Sequence, residues 1–189
     1  MKANLYDFDK TIYDGDSTFD FYKYCLRNNF SIIRFAPMQV YHFIKMFLGI
    51  ESKTVSKEHF YKFLSGLKDV DSLIDSFWKT HINKIKGFYK EIQEPSDIII
   101  SASPEFLLEP AMSLLNIKYM MASRVDKHTG LYDGLNCHGE EKVRRLYERF
   151  PDVEAKAMYT DSLSDLPLIR IANEGYMVKK LKVTRFIDK

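Results

Sequence analysis

The sequence predicts an α/β fold: a doubly wound parallel sheet with a helical cap inserted after its first strand. Three observations predict it. Short apolar runs alternate with segments of helical period through the C-terminal half. A long aromatic-rich block of helical period interrupts that series directly after the first run. Acidic pairs stand at the ends of the first run and of a late one, where open parallel sheets bind ligands.

The elements follow in order. Residues 3–8 read as a short strand running into two aspartates. From Asp16 to about Tyr89 the period is helical: Phe19, Tyr22 and Leu26 recur at spacings of three and four, as do Phe60, Phe63, Leu64 and Leu67, then Leu73, Ile74 and Phe77. Pro37 suits a helix start, and Gly49 and Gly66 suit helix stops. Ile98-Ile99-Ile100 has the character of a strand buried on both faces. Residues 104–115 then read as a helix that turns Leu107, Leu108, Ala111 and Leu114 to the sheet. A strand over 118–122 is followed by a turn-rich stretch, 124–136, able to hold a small hairpin. Residues 140–150 form a charged amphipathic helix. Strands over 155–159 and 175–178 enclose a helix over 163–172. Alternation of this kind implies parallel pairing. The domains expected are an α/β core of residues 1–13 and 90–189 and a helical cap of residues 14–89.

The 189-residue chain is long enough for one such core with an insert. With 46% hydrophobic and 29% charged residues its composition is globular. A net charge of +2 without a basic stripe argues against nucleic acid as a partner, and Lys179, Lys180 and Lys182 read as solvated surface. Cys25 and Cys137 form no CxxC pair. They read as reduced thiols in a cytoplasmic protein. A strand pattern begins almost at the first residue, so no signal peptide is expected. The longest apolar stretch, 30–50, is broken by Arg34, Pro37, Gln39, His42 and Lys45, whereas a spanning helix needs about 20 mostly apolar residues. Within it, 100° steps over 38–48 put Gln39, His42 and Lys45 on one narrow stripe and apolar side chains everywhere else. A helix so apolar is expected to fill the centre of the cap. The other reading is contact with a greasy substrate, a subunit or a bilayer edge. Oligomeric state is left open.

The chemistry begins at Asp7-Phe8-Asp9-Lys10-Thr11. In extended chain, residues i and i+2 point the same way, so Asp7 and Asp9 emerge together from the strand end. Paired carboxylates repel unless a cation lies between them, and magnesium accepts such hard oxygen ligands while keeping positions open. A surface turn is the plainer alternative for this motif alone. Ser101 follows the Ile98–Ile100 run, where its hydroxyl and neighbouring amides can bind a phosphoryl oxygen. A helix cap by Ser101 or Ser103 serves equally well at that point. Lys142, near a helix start, can balance an anionic transition state. Asp161 and Asp165 form a second acidic pair after a strand; an N-cap accounts for one of them. The five histidines, 42, 59, 81, 128 and 138, show no metal-ligand spacing. No GxGxxG or Walker A loop is present.

In this order and context, the four features resemble the haloacid dehalogenase superfamily over nearly the whole chain. The resemblance implies a Rossmann-like core and a magnesium-dependent phosphatase. It makes Asp7 the nucleophile and Asp9 the acid/base. Ser101, Ala102 and Lys142 become the phosphate site; Asp7, Asp9 (through its carbonyl) and Asp161 become metal ligands; Thr11 and Asp165 become supports. The position of the insert, with Asp14-Gly15-Asp16-Ser17 and Ser101-Ala102-Ser103-Pro104, is similar to the subgroup that includes phosphoserine phosphatase. There an acidic residue at the place of Asp16 holds the substrate amine. The arginine by which that enzyme holds the substrate carboxylate has no match, since residues 59–67 offer only Lys62. The expected substrate is a small soluble phosphomonoester. A lipid-headgroup phosphate at a membrane surface is the alternative. A dehalogenase, a phosphomutase and a non-catalytic metal-binding module are further readings.

Overall fold

A computed structural model describes residues 1–187. Its core is a six-stranded sheet in the order β3-β2-β1-β4-β5-β6. The strands are β1 (Lys2–Tyr6), β2 (Ile98–Pro104), β3 (Tyr119–Ser123), β4 (Glu154–Thr160), β5 (Glu174–Lys179) and β6 (Lys182–Arg185). All pairs are parallel except β5 with β6. Strand β6 carries no strand signal in the sequence: Lys182-Val183-Thr184-Arg185 is a polar edge strand with only one apolar residue to show. A lysine-bearing edge also discourages pairing with other chains.

The apolar runs alternate across the sheet as period-two geometry requires. Ala3, Leu5, Ile98 and Ile100 enter one core, together with Leu146 and Leu168. Tyr6 and Ile99 enter the opposite core, together with Leu107, Leu108 and Tyr89. Helices α6 (Glu105–Leu114), α7 (Glu140–Arg149) and α8 (Leu166–Ile171) contribute to these two faces. A sheet covered on both sides is why Ile98-Ile99-Ile100 shows no polar alternation.

Between β1 and β2 the chain is helical: α1 (Ser17–Asn28), α2 (Ala36–Phe47), α3 (Lys53–Tyr61), α4 (Val70–His81) and α5 (Gly87–Ile92), joined by 3-10 turns. Phe21, Tyr22, Phe63, Ile74, Phe77 and Trp78 are buried among them. The chain leaves the sheet and returns along two extended segments side by side. Asp14 N–H donates to the Lys84 carbonyl and Lys86 N–H to that of Ile12, both at 2.8 Å. Beyond that crossing α5 rests on the sheet, with Tyr89 edge-on to Tyr6 at 4.9 Å.

Two expectations are overturned: Leu114, expected to face the sheet, is exposed at the end of α6, and the second concerns α2. Helix α2 does not fill the centre of the insert: none of its residues is buried. Its polar stripe points inward instead. Gln39 accepts from Tyr22 Oη at 3.0 Å and donates to the Phe60 carbonyl at 2.8 Å. His42 and Lys45 both reach Glu51, at 2.9 and 3.0 Å. Three hydrogen-bonding side chains on one stripe find protein partners only on that side, so the helix turns its apolar side out.

Candidate active site

The loop after β1 is tightly bound. Lys10 adopts φ 59°, unusual for a residue with a Cβ. Its N–H donates to the Gly15 carbonyl at 2.7 Å, and its carbonyl accepts from Lys86 Nζ. This loop presents Asp7 and Asp9 where β1 and β4 end. It is the switch point of the strand order, where the connections diverge to either side and leave a crevice.

Lys142 is the centre of the floor. Gly139 precedes α7 at φ 59°, ψ −129°, a conformation suited to glycine, and the helix then carries Lys142 inward until it is 2% exposed. Its ammonium donates to Asp7 Oδ1 at 2.7 Å and lies 2.9 Å from Asp165 Oδ1. The second contact is an ion pair poorly aligned for a hydrogen bond. Burial opposes the ammonium, but Asp7 and then Asp165 outweigh it and hold its pKa above the ordinary lysine value. Thr11 Oγ1 donates to the other oxygen of Asp7 at 3.3 Å. Thr160 Oγ1 donates to the other oxygen of Asp165 at 2.8 Å. Asp165 stands at the head of α8 but makes no capping bond there.

Ser101 and Ser103 do not cap α6 either. Ser101 Oγ accepts from the Ser103 N–H at 3.1 Å, and Ser103 Oγ donates to Asp9 Oδ2. The other oxygen of Asp9 accepts from the Ser17 N–H. Asp16 caps α1, accepting from the Phe19 N–H at 2.9 Å. The Ala102 carbonyl accepts from Lys57 Nζ at 2.8 Å and from Ser123 Oγ at 3.1 Å.

Asp7, Asp9, Asp16, Ser101, Ala102, Lys142, Asp161 and Asp165 all line one cavity of about 650 Å³, within the range of roughly 300–1,000 Å³ usual for small-molecule sites. Thr11 is absent from the lining and is fully buried behind Asp7. The cavity also contains residues that motif reading did not single out: Lys53, Lys57, Asn136 and His138. Lys57 extends from α3 to Asn136 Oδ1 at 3.3 Å as well as to Ala102. Only the packing of the 124–138 loop against α3 reveals it. Gly130 enables that approach, because a Cβ there would come within 2.7 Å of the Tyr61 backbone. Lys62, the cation noted in the sequence, is exposed and outside the cavity.

Burial pushes the Asp7 carboxyl up to about 7, against the pull of Lys142. Burial, and then the charge of Asp16, push Asp9 to about 6. Asp161 is also raised, by burial first and then by Asp165, with Lys10 opposing. Carboxylates so placed are suited to a hard divalent cation. Among the described residues no three His, Cys, Asp or Glu side chains close into a cage. The oxygen donors present, carboxylates and backbone carbonyls, are of the hard type that magnesium accepts.

Comparison with curated proteins by sequence gave no match. Solved structures with the same fold include a Bordetella pertussis Tohama I protein with unknown function (TM-score 0.75, 16% identity, covering 92% of this chain and 88% of that one). A phosphoserine phosphohydrolase-like protein from Francisella tularensis matches with a TM-score of 0.59 at 18% identity, over 93% and 86% of the two chains. A probable phosphoserine phosphatase from Vibrio cholerae matches with a TM-score of 0.62 at 16% identity, over 93% of this chain and 55% of that one. The family model described as haloacid dehalogenase-like hydrolase matches residues 5–170, a span that contains every residue of the cavity floor, and the chain belongs to that family.

Proposed function

We propose that this protein is a phosphatase that hydrolyses phosphomonoesters through an aspartyl-phosphate on Asp7. The observation that supports it best is the buried Lys142 held between Asp7 and Asp165 at the base of a cavity also lined by Asp9, Ser101 and Asp161. Phosphoryl transfer asks the protein mainly for positioning and for charge, and this floor offers both.

The Asp7 carboxylate attacks phosphorus as the bond to the leaving alcohol breaks, and Asp9 gives that oxygen its proton. Asp9, now ionised, takes a proton from the water that attacks the phosphoaspartate, which frees phosphate and restores Asp7. A carboxyl near 6 can serve in both directions close to neutral pH. Ser101, the backbone at Ala102 and Lys142 receive the phosphoryl oxygens. Thr11 and Asp165 fix the orientations of Asp7 and Lys142. Magnesium would be held by Asp7, Asp161 and the Asp9 carbonyl, and when bound it would supply positive charge to the phosphoryl group. The helical insert, residues 14–89, acts as the cap and supplies Asp16, Lys53 and Lys57 to the cavity wall.

The test is free-phosphate release from a panel of phosphomonoesters with and without magnesium. Release should require the metal, and calcium should replace it poorly because it prefers more ligands in looser geometry. Asp7→Asn should fold normally and keep less than about a hundredth of kcat. Full activity in excess chelator, or an active Asp7→Asn, removes the mechanism. Metal binding without turnover would favour a non-catalytic module.

A further inference from the structure

The outward side of α2 carries Val40, Phe43, Ile44, Phe47 and Leu48, spaced three and four apart and all exposed, Phe47 by 83%. A soluble protein seldom leaves so continuous an apolar stripe facing water without a use for it. The stripe is not the reverse of a buried helix, since the inward side is a hydrogen-bonded polar seam. It is also continuous with the catalytic cavity. Phe43 and Met46 of α2 line that cavity together with Phe19 and Phe60, opposite the charged floor. Between Arg27 and Lys57 the chain has five lysines and arginines and one acidic residue, Glu51; Lys57 turns into the cavity and Lys45 pairs with Glu51, while Arg27, Arg34 and Lys53 are exposed. Glu51 is paired with Lys45 at 3.0 Å and lies within hydrogen-bond distance of His42. An apolar stripe with a basic surround is the composition of a helix that lies in the headgroup layer of an anionic membrane.

We propose that α2 docks on an anionic lipid surface and that the substrate is a lipid phosphomonoester drawn from it. The headgroup phosphate then reaches Asp7 while the acyl chains pass along Phe19, Phe43 and Phe60. This substrate assignment rests on the phosphatase reading; the docking surface does not.

The test uses the full chain with phosphatidylcholine vesicles, with and without phosphatidylglycerol. Wild type and Asp7→Asn should both sediment with the anionic vesicles and only weakly with the neutral ones. Phe47→Asp combined with Leu48→Asp, outside the cavity, should lower the partition coefficient by about tenfold or more, and hydrolysis of nitrophenyl phosphate in solution should be unchanged. Phosphatidic acid in vesicles should exceed its tail-less counterpart, glycerol 3-phosphate, by about tenfold or more in kcat/KM. Three results overturn the proposal: wild type left in the supernatant, equal binding by the double variant, or a stable dimer that the double variant dissociates, which would give the stripe to a second copy of the chain. Vesicle binding without phosphate release from any ester would leave the surface standing and remove the phosphatase reading together with the lipid substrate.

Discussion

Helices α7 and α2 reverse the usual relation between composition and burial. Seven of the ten residues of α7 are charged, yet it places Lys142 and Leu146 in the interior. One of the twelve residues of α2 is Lys or Arg and none is acidic, yet it buries nothing. The difference lies in the partners. Asp7 and Asp165 offer two carboxylates to an ammonium that would otherwise be costly to bury. Tyr22, Phe60 and Glu51 offer hydrogen bonds to the polar stripe of α2.

The sharpest way to break the contrast is Lys142→Met, which keeps the length and removes the charge. It leaves two facing buried carboxylates, so stability should fall by about 3–5 kcal/mol. The loss of phosphoryl charge balance should lower kcat by about a thousandfold or more. Chemical denaturation and phosphate release measure the two effects, and a stable, active variant would show that the ion pair is dispensable.

Leu146→Ala, one turn along α7, should cost about 2–5 kcal/mol as a cavity in the sheet core. Phe47→Asp on α2 should stay within about 0.5 kcal/mol although it replaces the larger apolar side chain by a charge. If both variants shift the denaturation midpoint equally, the exposure assigned to α2 is wrong.

Asp97 sharpens the comparison from the other side. It is 1% exposed and, among the described residues, has no salt-bridge partner; it accepts from Asn4 Nδ2 and the Glu94 N–H. Burial raises its carboxyl to about 6. The folded chain therefore holds its proton more tightly than the unfolded chain, and Asp97 lowers stability as pH rises from about 4 through 6. Asp97→Asn removes that titration, so the loss of stability between pH 4 and 8 should be absent from the variant, which still gives up about 1–3 kcal/mol at both pH values because its amide NH2 faces one of the two donors. Thermal melts at the two pH values decide it, and an unchanged pH dependence would show that Asp97 is not the group that titrates.

Much of the floor was legible in the residues. Asp7, Asp9, Asp161 and Asp165 stand at the ends of apolar runs, and strand geometry alone carries side chains two apart to the same side. The same period placed β1, β2, β4 and β5 and the helices between them, because burial on both faces leaves uninterrupted apolar runs. Three things required the tertiary structure. Ser101, Ser103 and Asp165 could equally have been helix caps, and only the approach of Asp9 and Lys142 from distant segments, with Thr160 from the end of β4, shows otherwise. Lys57 and Asn136 carry no local signal, since a lysine on a polar helix and an asparagine in a turn look alike wherever they point; the docking of the 124–138 loop on α3 brings them to the cavity. The orientation of α2 was misread because a helical wheel ranks faces by hydrophobicity alone. Which face turns inward is settled by the hydrogen-bond partners that neighbouring helices present, and those are fixed by the packing of the whole insert.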